Sequence, residues 1–186
     1  MTKHAFKWLI PVMALTAFLG LSTAATAGSN EAVFPVIKGY GGVHPLPDAA
    51  VQPEKDKVYK AVFDIASDAK HGDVNSALFH VARAVNVFAS AGIPTSHLKF
   101  VAVIHGAATH EVMDNEHYQK KFGMDNPNLD LIAKLKAAGV SVQVCGQALA
   151  GEGIEHAWVD KNVTITLSAL SDNVIYGNMG YAYIRM

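Results

Sequence analysis

The chain has 186 residues, 51% of them hydrophobic and 17% charged, with a formal net charge of −1. That length accommodates one domain with a sizeable core and is too short for two full-sized ones. There is no basic stripe and no interleaving of aromatic with basic residues, which excludes nucleic acid as an expected partner; no run is biased enough in composition to read as disordered.

In chain order, the first feature is an export signal. Lys3, His4 and Lys7 form a positive start, Trp8 to Leu21 is an uncharged apolar stretch, and Ala25-Thr26-Ala27 matches the small-x-small pattern of a cleavage site. The apolar stretch is 14 residues long, short of the ~20 needed to span a bilayer. Residues 1–27 therefore read as a signal peptide, with Gly28 as the new N-terminus and a periplasmic or secreted destination. Loss of Lys3 and Lys7 takes the formal charge from −1 to −3. No later stretch is long and apolar enough to span, so no membrane association is expected after cleavage.

Residues 28–56 lack periodicity and are punctuated by Gly39, Gly41, Gly42, Pro45, Pro47 and Pro53. They predict an irregular arm packed on the domain's surface or on a neighbouring subunit. Regular structure begins in the domain at 57–186. Val58 to Ile65 is rich in β-formers and predicts a strand. Asp73 or Asn75 supplies an N-cap for a helix whose stripe is Ala77, Leu78, Val81, Ala82, Val85 and Phe88, stopped by Gly92. Leu98 to His105 is a second strand whose continuous apolar run suits burial on both faces. Residues 109–121 are polar and predict a short exposed helix or a lid. Asn128 is placed to cap a helix that ends at Gly139, and Val140 to Cys145 is a third strand. Residues 146–153 form a turn or one helical turn. A strand at Val163 to Leu167, a helix at Leu170 to Met179 and a strand at Tyr181 to Ile184 follow. This alternation predicts an open, largely parallel sheet with helices on both faces.

Ligands of such sheets bind beyond the carboxyl ends of the strands. Strand one ends near Asp64, Ser67 and Asp68, strand two at His105-Gly106, strand three at Cys145-Gly146. Cys145 is the sole cysteine, so no internal disulfide can form. In an exported chain an unpaired cysteine is either kept for its chemistry or buried and inert. As a nucleophile its thiolate would be favoured by the backbone N–H groups of Gln147-Ala148-Leu149, with Gly146 allowing close approach. The alternative is a structural cysteine at the end of a core strand. His105 either polarises or protonates a substrate and pairs with Cys145, or is a satisfied histidine at a strand end. The other histidines lack the spacing of a metal site. Gly39-Tyr40-Gly41-Gly42 has no preceding strand and no following Lys-Ser/Thr, so it is not a phosphate loop; no cofactor motif is present.

Val103-Ile104-His105-Gly106, Gly139-Val140-x-Val142-x-Val144-Cys145-Gly146-Gln147 and Gly180-Tyr181-Ala182-Tyr183-Ile184 together resemble the DsrE/DsrF-like family, which includes the YchN-like proteins, over about Val58 to Ile184. The resemblance implies a Rossmann-like three-layer α/β domain with a mainly parallel five-stranded sheet. It implies homotrimers or hexamers with sites near subunit contacts. In sulfur-relay members a cysteine at this strand end carries a persulfide between proteins; that role maps onto Cys145, with a sulfur donor or acceptor protein as partner. The relay members are cytoplasmic, whereas this chain carries an export signal. The resulting expectation is a sulfur-handling protein in which Cys145 carries a persulfide or mixed disulfide assisted by His105. The alternative is a non-catalytic homo-oligomeric small-ligand-binding module with a structural cysteine.

Overall fold

The computed structural model describes residues 31–186, together with Met1. The segment that the sequence predicts to be a signal peptide, Met1 apart, and the first residues of the arm lie outside the described residues. Among the described residues no helix is long and apolar enough to cross a membrane.

Five strands form one sheet: β1 (Tyr59–Ile65), β2 (Leu98–Ile104), β3 (Ser141–Cys145), β4 (Thr164–Thr166) and β5 (Ala182–Arg185). Their spatial order is β4-β3-β2-β1-β5, and every pairing is parallel. Helix α1 (Ser76–Ser90) connects β1 to β2, and α3 (Leu129–Ala137) precedes β3. Helix α5 (Ala169–Asn178) links β4 to β5. The chain steps in one direction from β1 to β4 and returns across the sheet only for β5. Right-handed crossovers then put α1 and α3 on one face and α5 on the other. The arrangement is a three-layer, Rossmann-like α/β fold with a fully parallel sheet.

Side chains alternate between the faces of each strand. Ala61, Phe63 and Ile65 of β1, Phe100, Ala102 and Ile104 of β2 and Val142 and Val144 of β3 join the large core under α1 and α3. Phe100 meets Phe63 and Phe88 edge-on, with ring centroids 5.3 and 5.6 Å apart. Burying one such side chain stabilises the fold by roughly 1.5–3 kcal/mol. The opposite alternation, Val62, Val101, Val103 and Cys145, packs with Ala169 into a much smaller cluster under α5.

Helix α1 is capped as its sequence suggests. Of the two candidates it is Asn75 that does so, its Oδ1 accepting the N–H groups of Ala77 and Leu78. The arm docks on α1 through one buried amide. Asn86 Oδ1 accepts the N–H groups of Val36 and Ile37, and its Nδ2 donates to the carbonyls of Ile37, Tyr40 and Gly41. Gly41 is required at the crossing, because a Cβ there would sit 2.2 Å from Arg83 N.

Two local expectations need correction. Residues 109–121 are not uniformly exposed: a 3-10 turn at Gly106–Val112 buries Thr109 and Glu111, and only then does α2 (Asn115–Phe122) run across the surface. Glu111 tolerates burial because Lys70 Nζ donates to one carboxylate oxygen and Asn128 Nδ2 to the other. Asn128 therefore makes no side-chain cap at α3. Its Oδ1 accepts the Asn75 N–H at 2.7 Å, so tertiary partners occupy the group that the local pattern assigned to the helix.

Candidate functional site

The carboxyl ends of β1, β2 and β3 lie side by side. Ile104 pairs with Val144, so His105 and Cys145 each stand one residue beyond that pair on adjacent strands, which lie about 4.8 Å apart. The backbone of His105 is still extended, and its N–H donates to Ile65 O at 2.9 Å, continuing the ladder. By alternation both side chains belong to the α5 face.

Cys145 is the N-cap of α4 (Gly146–Glu152). Its Sγ accepts the Ala148 N–H at 3.4 Å and lies 4.0 Å from Ser168 Oγ. Ser168 in turn caps α5 by accepting the Leu170 N–H. The residue is only 5% exposed in the single chain. Gly146 does allow a close approach, but the group that approaches is the carbonyl of Thr166, 2.6 Å from where a Cβ would stand. It fits α4 against β4.

Among the described residues His105 makes no hydrogen bond to the sulfur; its partner is Asp64. His105 Nε2 lies 3.0 Å from Asp64 Oδ1. Asn173 Nδ2 donates to the same oxygen at 2.8 Å, and Tyr183 O–H donates to Oδ2 at 2.7 Å. Burial pushes the Asp64 carboxyl upward, but the hydrogen bonds from Asn173 and Tyr183 and the nearby imidazole outweigh it, so its pKa falls below the ordinary carboxylate value. The Tyr183 phenol moves the opposite way, chiefly because its proton is held by Asp64. Gln143, also on this face, donates to Tyr176 O–H at 2.7 Å.

The remaining histidines are distributed over local roles. His117 stacks on Trp158 and bonds Asp114, His110 pairs with Glu152, and His80 bonds the Ser76 carbonyl. Among the described residues no three His, Cys, Asp or Glu side chains are grouped to hold a metal ion. A cleft of about 590 Å³ lies between the arm at Leu46 and Pro53 and the end of α1 at Val87 and Ser90. It is at the amino-terminal edge of the sheet, away from Cys145.

The profile of the DsrE/DsrF-like family matches residues 60–186, from within β1 to the last residue. The chain belongs to the DsrE/DsrF-like family. Among solved structures it is similar to the Protein of Unknown Function MTH1491 from Methanobacterium thermoautotrophicum, with a TM-score of 0.53 and 20% identity over 69% of this chain and 99% of that one. That likeness supports the fold. No curated protein matches.

For this DsrE/DsrF-like chain, the sequence puts Cys145 and His105 at strand ends, and the register of β2 with β3 makes those ends neighbours. The sequence did not reveal the partner of His105. Asp64 is visible as a polar group closing an apolar strand; Asn173 carries no motif, and Tyr183 lies in a family motif that does not name its partner. The available signal was the odd polarity of Asp64 itself, a carboxylate inside the run Val62-Phe63-Asp64-Ile65 that demands buried donors.

Proposed function

We propose that this protein is an exported sulfur-handling member of its family, in which Cys145 accepts a sulfane sulfur or forms a mixed disulfide and His105 moves the proton. The observation that carries the reading is the position of Sγ. It stands at the carboxyl end of a central strand, receives a backbone N–H from the next helix, and shares its face and its level with an imidazole held by a carboxylate. Transfer from a persulfide donor conserves atoms: R–S–SH and the Cys145 thiol give R–SH and Cys145–S–SH. The donor and acceptor are other thiol-bearing molecules or proteins.

The same reading includes self-association. Leu170, Val174 and Ile175 on α5 and Met179 at its C-terminal cap are exposed apolar side chains on the outer layer of the domain, the kind of surface that marks an association site. A homotrimer or hexamer would cover them. Near-complete burial of Cys145 supports the second reading, an oligomeric ligand-binding module with a packed cysteine.

Intact mass of the native exported protein separates the two. The sulfur carrier is expected to show an adduct of about 32 Da on Cys145 that reductant removes, and iodoacetamide is expected to label the thiol before denaturation. Labelling only after unfolding would leave the packed-cysteine reading standing.

A further inference from the structure

Asp64 sits among apolar strand residues yet accepts three hydrogen bonds, one from each of three elements. Asn173 comes from α5, Tyr183 from β5 and His105 from the end of β2. The first two fix the carboxylate; the third fixes the imidazole. Asn173 has little else to orient it, since its Oδ1 is buried without a partner among the described residues. An ionised carboxylate only accepts. His105 must therefore present Nε2 as an N–H donor, and in the neutral ring the lone pair is left on Nδ1. Nδ1 makes no hydrogen bond among the described residues, so it remains available to a substrate proton.

We propose that Asp64 is the positioning residue of this site, holding His105 as the Nε2–H tautomer with Nδ1 as its proton acceptor. This rests on the sulfur-handling reading for its use, but not for its geometry. During loading, the Cys145 thiol gives its proton to Nδ1, with a water as the carrier between the two neighbouring strand ends. The thiolate attacks the outer sulfur of the donor, the S–S bond of the donor breaks, and the departing thiolate takes the proton back from His105. No net proton or electron is left over.

The test uses the full mature chain with its imidazoles labelled with nitrogen-15, at about pH 8.5, where an ordinary imidazole is neutral. Two-bond proton–nitrogen spectra are expected to show His105 in the Nε2–H form in the wild type. That dominance is expected to be lost in Asp64→Ala and kept in Asp64→Asn, whose Oδ1 can still accept from Asn173 and His105. Loading of Cys145 by glutathione persulfide is expected to slow about tenfold in Asp64→Ala, less than the roughly hundredfold or more that a general base itself contributes, and far less in Asp64→Asn. A wild-type His105 in the Nδ1–H form overturns the proposal without recourse to any variant. An unchanged tautomer in folded Asp64→Ala overturns it too. Wild-type protein that shows the Nε2–H form but takes up no sulfur defeats the sulfur-handling reading and leaves the positioning role intact.

Discussion

The two faces of the sheet differ in almost every respect. The face under α1 and α3 is a continuous apolar layer in which Ile65, Leu78, Val81, Ile104, Ile132 and Leu135 are fully buried. The face under α5 is covered by one helix and mixes Val62, Val101 and Val103 with Asp64, His105, Gln143 and Cys145. A strand contributes to both, because its side chains alternate. One alternation holds the domain together while the other can carry polar groups whose desolvation the first offsets. The division explains why the candidate chemistry lies where the packing is thinnest.

The sharpest way to break this comparison is to weaken the dense face. Leu78→Ala is expected to cost about 2–5 kcal/mol in denaturant unfolding, because Leu78 is fully enclosed by that core. A loss below 1 kcal/mol would mean that the two faces do not divide stability in this way.

The thin face should be pH-sensitive. The Asp64 carboxyl is lowered in the folded state, so its contribution is present above the unfolded value of about 4 and fades as pH falls through the lower native value. Wild type is therefore expected to exceed Asp64→Asn in stability by about 1–2 kcal/mol near neutrality, with the gap closing in acid. Unfolding curves at neutral pH and near pH 3 check the sign. A gap that widened in acid would contradict the assignment of Asp64 as a charged acceptor.

The smallest effect on folding is expected on the outer side of α5. Leu170 is 81% exposed, so Leu170→Ser should leave the stability of the single chain within about 0.5 kcal/mol. If α5 is covered by another copy, the same substitution should reduce the assembly seen by light scattering. Wild type that scatters as a monomer at micromolar concentration would remove the oligomer from the proposed function.

The comparison also shows which parts of the molecule were legible in advance. The strands, the α1 stripe and the helix stop at Gly92 follow from local periodicity and backbone preference, which a linear sequence carries in full. So did the placement of Cys145 and His105 at strand ends, since an apolar run marks where a strand stops. Residues 109–121 look exposed throughout because Glu111 is polar by type, yet Glu111 is buried by pairing with Lys70, 41 positions away. Asn128 suits a cap locally, but its side chain is taken by the remote Asn75 and Glu111.

What the sequence by itself determined is the alternation of elements, the apolar faces that pack them into an α/β domain, and family membership carried by short strand-end motifs. Only the tertiary structure decided the spatial order β4-β3-β2-β1-β5, and with it which strand ends are neighbours. It also decided that His105 answers to Asp64 and not to Cys145, through donors at Asn173 and Tyr183 that lie 109 and 119 positions from Asp64. The physical reason is one of range. Periodicity, capping preference and turn chemistry act over a few residues, whereas a buried carboxylate takes its hydrogen bonds from whatever the folded chain brings within about 3 Å.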